Sequence, residues 1–329
     1  MIEAKYYGSI NNDRVRCKLC PQHCLIPPGD YGMCRSRYNR DGVLYAVNYG
    51  RAVSLGVDPV EKKPLYHYRP NSNVLSLGCN TCNLACDFCQ NYTISQQETN
   101  TIEVSPDKII DICLKHHVKS VAFTYSEPLT WYEFILECTR LLKDNNIDVI
   151  LVTNGYLNQE PLKEILPYID AMNIDLKAMN NEFYKNIVQG QVHPVLEFIK
   201  AAYSQCHIEI TNLLIPGENT DLKSINELVE FIAGLNKDIP LHFSKYFPAY
   251  KRTTPPTSTK TLSLARKEAL KKLNYVYLGN VLTNSESNTY CPNCRTLLIE
   301  RHAFNVMIRN LTKNQCSNCN TIIYGKFDL

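Results

Sequence analysis

Apolar and polar positions change their rhythm twice along this chain. Through about residue 70 there is no steady period, and short extended pieces such as VLYAVNYG (43–50) sit among Cys, Gly, Pro, Arg and Tyr. From about residue 73, short apolar or β-branched runs take over: NVLSLG (73–78), SVAFTY (120–125), DVILVT (148–153), AMNIDL (171–176), HIEITNLL (207–214), LHFSKYF (241–247) and YVYLG (275–279). Between them lie stretches of helical period: SPDKIIDICLKHH (105–117), TWYEFILECTRLLKD (130–144), PLKEILPYI (161–169), VLEFIKAAYS (195–204), DLKSINELVEFIAGL (221–235) and SLARKEALKKL (263–273). Ser105 and Pro106 read as an N-cap and a first helical residue. Strand and helix alternate about six times, which predicts a parallel sheet with crossover helices, an α/β fold with too few units for a complete eight-unit barrel. After about residue 286 the rhythm stops. The expected division is therefore 1–70, an irregular cysteine-rich domain; 71–285, a partial (β/α)6 barrel; and 286–329, a small domain with two CxxC pairs.

Composition excludes more than it assigns. The 329 residues are 44% hydrophobic and 20% charged, with 35 Lys+Arg against 32 Asp+Glu. A net charge of +3 is too mild for a nucleic-acid or membrane surface. No apolar run approaches the roughly 18 residues of a membrane span, and MIEAKYYGSINNDR lacks the apolar stretch of a signal peptide. A cytoplasmic protein is expected. Neither GxGxxG nor a GxxxxGK phosphate loop occurs, so glycine-rich nucleotide binding is not predicted.

Cysteine is the outlier, with 15 residues. In a reducing compartment, clustered thiols are metal ligands or catalytic groups far more often than disulfides. Three groups stand out: Cys17, Cys20, Cys24 and Cys34; Cys82, Cys86 and Cys89; and Cys291, Cys294, Cys316 and Cys319. Cys82-Asn-Leu-Ala-Cys86-Asp-Phe-Cys89 follows the first strand of the alternating region, where parallel sheets place their sites. Three thiolates can hold three irons of a cubane and leave the fourth open; a zinc site with a distant fourth ligand is the alternative. The first group fits either tetrahedral zinc or a second iron–sulfur cluster, with zinc or a purely structural role slightly favoured. The last resembles a zinc ribbon, although rubredoxin-like iron uses the same knuckles. Cys79, Cys113, Cys138 and Cys206 are expected to be buried small hydrophobes. His67, His193 and His242 stand alone, His116-His117 reads as a helix cap, and Lys62-Lys63 as a solvated charge run.

CxxxCxxC ahead of βα units resembles the radical S-adenosylmethionine (SAM) enzymes. Tyr125-Ser126-Glu127-Pro128, Val152-Thr153-Asn154-Gly155 and Asn173-Ile174-Asp175-Leu176-Lys177 extend the likeness to enzymes similar to the pyruvate formate-lyase activating enzyme. CKLCPQHCLIPPGDYGMCRSR (17–37), AVSLGVDPVEKKPLYHY (52–68), CQNYTISQ (89–96), SEPLTWYEF (126–134), HFSKYFPAYK (242–251) and the terminal cysteine pairs resemble one subgroup, the AmmeMemoRadiSam-system proteins. The resemblance implies a 4Fe–4S cluster on Cys82, Cys86 and Cys89, with SAM held by Ser126, Glu127, Thr153, Asn154, Asp175 and Lys177. It implies reductive cleavage of SAM to a 5′-deoxyadenosyl radical that abstracts hydrogen from an unidentified substrate. It further implies one or two structural zinc or iron ions or an auxiliary Fe–S cluster, an electron donor such as a ferredoxin or flavodoxin, and partners like the Memo and AMMECR proteins. Similar activating enzymes carry an Asp where this chain has Val152, which weakens the case for a bound monovalent cation. Lys245, Tyr246, Tyr250 and Lys251 are candidates to face the substrate, or else a solvated loop with packed aromatics. Two other readings compete: an activase for a glycyl-radical enzyme, and a non-catalytic zinc-ribbon adaptor.

Overall fold

A computed structural model describes residues 1–281 and 285–327. Its centre is a sheet of eight strands: β1 (Ser54–Pro59), β2 (Asn73–Gly78), β3 (Ser120–Phe123), β4 (Asp148–Thr153), β5 (Ala171–Asp175), β6 (His207–Leu214), β7 (Leu241–Lys245) and β8 (Val276–Gly279). They lie side by side in chain order. All neighbours from β2 to β8 pair in parallel, whereas β1 pairs antiparallel with β2. Six helices make the crossovers: α1 (Pro106–Lys115), α2 (Tyr132–Asp144), α3 (Gln159–Ile165), α4 (Val192–Tyr203), α5 (Leu222–Leu235) and α6 (Thr259–Ala269). Every strand read from the hydrophobic runs is present, and β1 adds an edge that begins before the expected boundary at 71.

Local chemistry sets the helix ends. Ser105 caps α1 by accepting from Lys108 N (3.3 Å), and Asp221 caps α5 by accepting from Ser224 N (3.0 Å). α3 stops at Ile165 rather than 169, because Pro167 has no N–H to donate to the carbonyl four residues back, and a 3-10 turn follows over Leu166–Tyr168. α6 starts earlier than its apolar spacing indicated, since Ser258 accepts from Thr261 N (3.0 Å) and the first turn is polar.

The two faces of the sheet are covered differently. Val121, Phe123, Val149 and Leu151 meet Ile109, Phe134 and Ile135 of the helices in one apolar core, which also takes in Val15, Ile26 and Leu44 from the N-terminal segment. Residues alternating with these, such as Ala122, Ile150 and Ala171, face the opposite way and pack with Val60, Leu65 and Tyr68. The segment 58–68 therefore plugs the inner face. Asn173 Nδ2 donates to Pro64 O (2.8 Å), and His67 N donates to Glu209 Oε1 (2.7 Å). Small antiparallel sheets lie before and after the central one: Tyr7–Ile10 with Arg14–Cys17 and Leu25–Ile26; Ile2–Glu3 with Val43–Ala46 and Arg37–Arg40; and Thr289–Tyr290 with Leu297–His302 and Asn305–Ile308. Arg37, buried, donates to Glu133 Oε2 of α2 (2.7 Å), while Glu133 Oε1 accepts from Lys5 N (2.8 Å). One carboxylate thus ties the Arg37–Arg40 strand and the link before Tyr7 to the central layer. No helix among the described residues is long and apolar enough to cross a membrane.

His67 lies fully buried between the sheet and the C-terminal segment. Its Nδ1 lies 2.6 Å from Tyr324 O, a pure acceptor, so Nδ1 carries the proton and Nε2 accepts from Tyr277 OH (2.6 Å). Burial pushes this imidazole down to about 3, against the pull of Glu209 and the Tyr324 carbonyl. The unfolded imidazole protonates near its ordinary ~6.5, so below that pH the unfolded chain binds the extra proton. Stability from this group is therefore complete above ~6.5 and is lost as pH falls toward the folded value. Between pH ~6.5 and ~5, wild-type protein should lose about 2 kcal/mol more than His67→Gln, read from urea unfolding midpoints.

Candidate active site

The carboxyl ends of β2 to β8 open onto one cavity of about 330 Å3. Its wall contains Cys82, Cys86, Cys89, Ser126, Glu127, Thr153, Asn154, Asp175 and Lys177, all nine residues singled out for this site, together with Lys62, Phe88, Thr211 and Ser244. The sheet register explains the convergence. Asp175 pairs with Thr211 at the top of β5 and β6, and Thr153 ends β4 beside Ile174.

The cysteine loop is fixed from several sides. Ala85 N and Asp87 N donate to Val188 O (3.0 Å) and Ile187 O (3.2 Å). On the far side Lys251 N donates to Asp87 O (2.9 Å), and Arg252 grips the Asp87 carboxylate through Nε (3.0 Å) and Nη2 (2.9 Å). Arg252 also reaches Glu218 Oε1 (2.5 Å). Asn154 Nδ2 donates to Asn83 Oδ1 (2.9 Å) and points at Cys82 Sγ (3.7 Å). Gly155 follows with a left-handed φ of 66°, and a Cβ there would come within 3.1 Å of Phe198.

Among the described residues, Cys82, Cys86 and Cys89 do not draw their sulfurs within 4.8 Å of one another, as a single-ion site would require. They line a common cavity instead. Burial pushes the Cys86 thiol up to about 12, while Lys177 pulls toward the thiolate. Lys177 Nζ sits 3.1 Å from Asp175 Oδ2; burial disfavours its charge, but Asp175 and Cys86 hold it firmly protonated.

Glu127 has a structural part in the cavity wall as well. It is fully buried, and Oε1 accepts from Thr153 Oγ1 (2.7 Å) and Leu129 N (3.0 Å) while Oε2 accepts from Asn154 N (2.8 Å). Burial pushes its carboxyl up to about 7 in spite of these donors. It is first a bracket between the ends of β3 and β4. The Ser126 hydroxyl is likewise engaged, donating to Cys79 O (2.5 Å), and Cys79 itself is buried behind the cavity wall.

Lys62-Lys63 is not a solvated run. Lys63 is buried and donates to Asp58 Oδ2 (2.9 Å), Tyr125 OH donates to the same oxygen (2.6 Å), and Lys62 lines the cavity while reaching Asp58 Oδ1 (3.0 Å). That cluster holds Tyr125 in a left-handed conformation (φ 71°) at the end of β3. Lys245, Tyr246, Tyr250 and Lys251 lie outside the cavity wall. Tyr246 is buried, with its hydroxyl donating to Arg252 O (3.3 Å), and Tyr250 stacks on Tyr92 (5.0 Å between centroids). Arg252 escaped the sequence reading because its partner Asp87 is 165 positions away.

Cys291, Cys294, Cys316 and Cys319 bring their sulfurs within 4.8 Å of one another, with Cys291–Cys319 at 3.5 Å and Cys294–Cys316 at 3.7 Å. The two turns are alike: Arg295 N and Asn320 N donate to Cys291 O (3.0 Å) and Cys316 O (2.8 Å). Hydrogen bonds from Asn318 and Thr296 pull Cys294 down to about 5. The donor set fits one tetrahedral ion.

The profile of the Radical SAM superfamily matches residues 77–232. An uncharacterized protein of Methanocaldococcus jannaschii is 42% identical over 97% of this chain and 98% of its own length. The pyruvate formate-lyase 1-activating enzyme of Escherichia coli is 27% identical over 46% of this chain and 64% of that enzyme. Among solved structures, Streptococcus suis SuiB bound to S-adenosylmethionine superposes with a TM-score of 0.51 at 14% identity, over 67% of this chain and 53% of SuiB, a likeness of fold.

Because Arg252 holds the loop between Cys86 and Cys89 without touching a thiol, Arg252→Ala should leave the thiols intact yet weaken metal retention. After anaerobic iron–sulfide loading, iron loss to a chelator should be about 10–100-fold faster than in wild type.

Proposed function

This chain belongs to the radical SAM superfamily, and on that premise we propose that it is an enzyme whose Cys82, Cys86 and Cys89 hold a 4Fe–4S cluster, with SAM and a hydrogen-donating substrate sharing the cavity above them. The cluster and SAM, when bound, supply one-electron cleavage of the sulfonium and hence a radical able to abstract hydrogen. What carries the reading is the meeting of nine expected residues, from four separate strand ends, in one cavity of about 330 Å3. Such a volume lies in the range of small-ligand sites, about 300–1,000 Å3.

The chain's own part is binding, orientation and exclusion of water. Lys177, held protonated beside Asp175, is the partner for the SAM carboxylate. Glu127 has three donors on four acceptor positions, which leaves one lone pair of Oε2 for the SAM ammonium. Asn154 orients Cys82, and Leu84, Phe88, Val152 and Leu213 give the cavity an apolar wall. Lys62, paired with Asp58 Oδ1 (3.0 Å), stands at the same wall as a cation for an acidic group on the substrate. No acid–base pair is needed for hydrogen abstraction by a radical.

Similarity to the pyruvate formate-lyase 1-activating enzyme favours a second reading, in which the substrate is a glycine on another protein. Partners like the Memo and AMMECR proteins, and a ferredoxin- or flavodoxin-type electron donor, belong to the first reading.

Anaerobically loaded protein under a strong reductant should convert SAM to 5′-deoxyadenosine, and Cys86→Ala should reduce this to background. Lys177→Met should weaken SAM binding by about 10–100-fold, the scale of a lost charge-assisted pair, while the cluster absorbance persists. Protein that carries zinc alone and never cleaves SAM would instead be a zinc-ribbon adaptor.

A further inference from the structure

A second cavity, of about 620 Å3, lies apart from the first. It is larger than the cavity above the cysteine loop and falls within the range of small-molecule sites, about 300–1,000 Å3. It shares no lining residue with that cavity, nor with the narrow pocket of the N-terminal cysteines. Asn80 and Thr81 line it, and Cys82, of the first cavity, follows them directly in the chain. The N-terminal segment contributes Tyr31, Arg35, Asn48 and Arg51, and the loop after the cysteines contributes Glu98, Thr99 and Thr101.

Directional bonds hold these walls in place. Asn80 Nδ2 donates to Ile94 O (2.7 Å) and Gln97 O (2.8 Å), and its Oδ1 accepts from Thr99 N (3.0 Å). Arg35 Nη2 reaches the same loop, donating to Ser95 O (2.9 Å) and Gln97 O (3.4 Å). Asn48, only 7% exposed, donates through Nδ2 to Thr81 Oγ1 (3.3 Å) and Thr130 O (3.2 Å). Thr130 O can only accept, so the amide has one orientation, and its Oδ1 is left buried with no donor. The Thr130 hydroxyl donates to Glu127 O (2.8 Å) and therefore accepts from Thr81 Oγ1 (2.5 Å). Asn48 is thus locked at the wall with an unmet acceptor, which is costly unless something supplies a donor.

The charges on the wall indicate the ligand. Arg35 spends Nη2 on neutral carbonyls and keeps Nε and Nη1, and Arg51 is exposed. Neither makes an ion pair among the described residues, although Arg51 stands opposite Glu103 in register. Two guanidinium groups therefore face the cavity against the single carboxylate of Glu98. Guanidinium forks match carboxylates and phosphates, while the hydroxyls of Tyr31, Thr99 and Thr101 suit a hydroxylated body. We propose that this cavity binds a small hydroxylated anion, its carboxylate or phosphate held by Arg35 and Arg51 and a hydroxyl seated against Asn48. Since no residue of the first cavity takes part, this ligand binds in the absence of SAM.

The test is titration calorimetry on the full chain, loaded anaerobically with iron and sulfide and free of SAM. The probes are 3-phosphoglycerate, D-glycerate and inorganic phosphate, with glycerol as the neutral control. Saturable binding of 3-phosphoglycerate is expected with a Kd of about 1 mM or below, and none of glycerol. Binding of D-glycerate then marks a carboxylate head, and binding of inorganic phosphate a phosphoryl head. Arg35→Gln and Arg51→Gln should each weaken binding by about 10-fold or more, whereas Lys177→Met, in the other cavity, should bind as wild type does. No saturable binding of any of the three anions up to about 10 mM would overturn the proposal. So would binding that survives both arginine substitutions and is lost in Lys177→Met. Arg51 is exposed, so its variant decides alone should Arg35→Gln not fold. Because the readout is binding without SAM, the result does not depend on whether the chain cleaves SAM.

Discussion

The buried carboxylate of Glu127 is the constraint on which the site depends. At the top of a parallel sheet every strand ends in backbone groups that have lost their ladder partners, and each needs another partner or water. Glu127 takes Leu129 N from its own chain end and Asn154 N and the Thr153 hydroxyl from the next. With Asn154 so placed, its amide can meet Asn83 and Cys82, and Asn83 in turn receives Gln22 from the N-terminal segment. A single chain of hydrogen bonds thus runs from β3 and β4 through the cysteine loop to the first cysteine group. Burying a carboxyl this deeply is unfavourable to its charge, as its upward shift records, and its three hydrogen bonds offset part of that cost.

The same logic separates the two faces of the sheet. Toward the helices the contacts are apolar and non-directional, so volume and pattern are enough to define them. Toward the inside, Asp58 with Lys63 and Tyr125, Asn173 with Pro64, and Glu209 with His67, His207 and His242 are polar contacts that fix positions. Directional bonds hold the plug at 58–68 in one register, and the plug presents Lys62 to the cavity. Stability resides mainly on the outer face and precision on the inner one.

That division also explains what could be read from the sequence. The seven parallel strands and six helices were legible because burial on both faces writes long apolar runs, and helices write a period of their own. The nine cavity residues were legible through resemblance to short strand-end motifs. The β1 edge was not, since Ser54–Pro59 contains Gly and Asp and ends on Pro, features depleted in strands. Nor was the burial of Lys63, whose neutralising partner Asp58 looks from sequence like one more surface charge. Arg252 and Glu127 illustrate the general gap. Periodicity reports which way a residue faces within its own element, whereas their roles are set by partners on other elements.

Thiol spacing in space carries information that thiol spacing in sequence does not. Cys17-x2-Cys20 and Cys291-x2-Cys294 have the same local separation, and each begins a four-cysteine set. They diverge because the C-terminal set closes two matching turns face to face, with Arg295 and Asn320 both left-handed (φ 61° and 57°), so the four sulfurs converge on a point. The N-terminal set draws its last thiol from the far end of the loop that leads into Arg37, and Cys34 Sγ is drawn to Ser36 Oγ (3.1 Å). Its four cysteines line one narrow pocket together with Gln22, Arg37 and Asn83. A metal selects among thiol sets by the placement of the donors as well as by their number, so two groups of four cysteines in one chain need not bind alike.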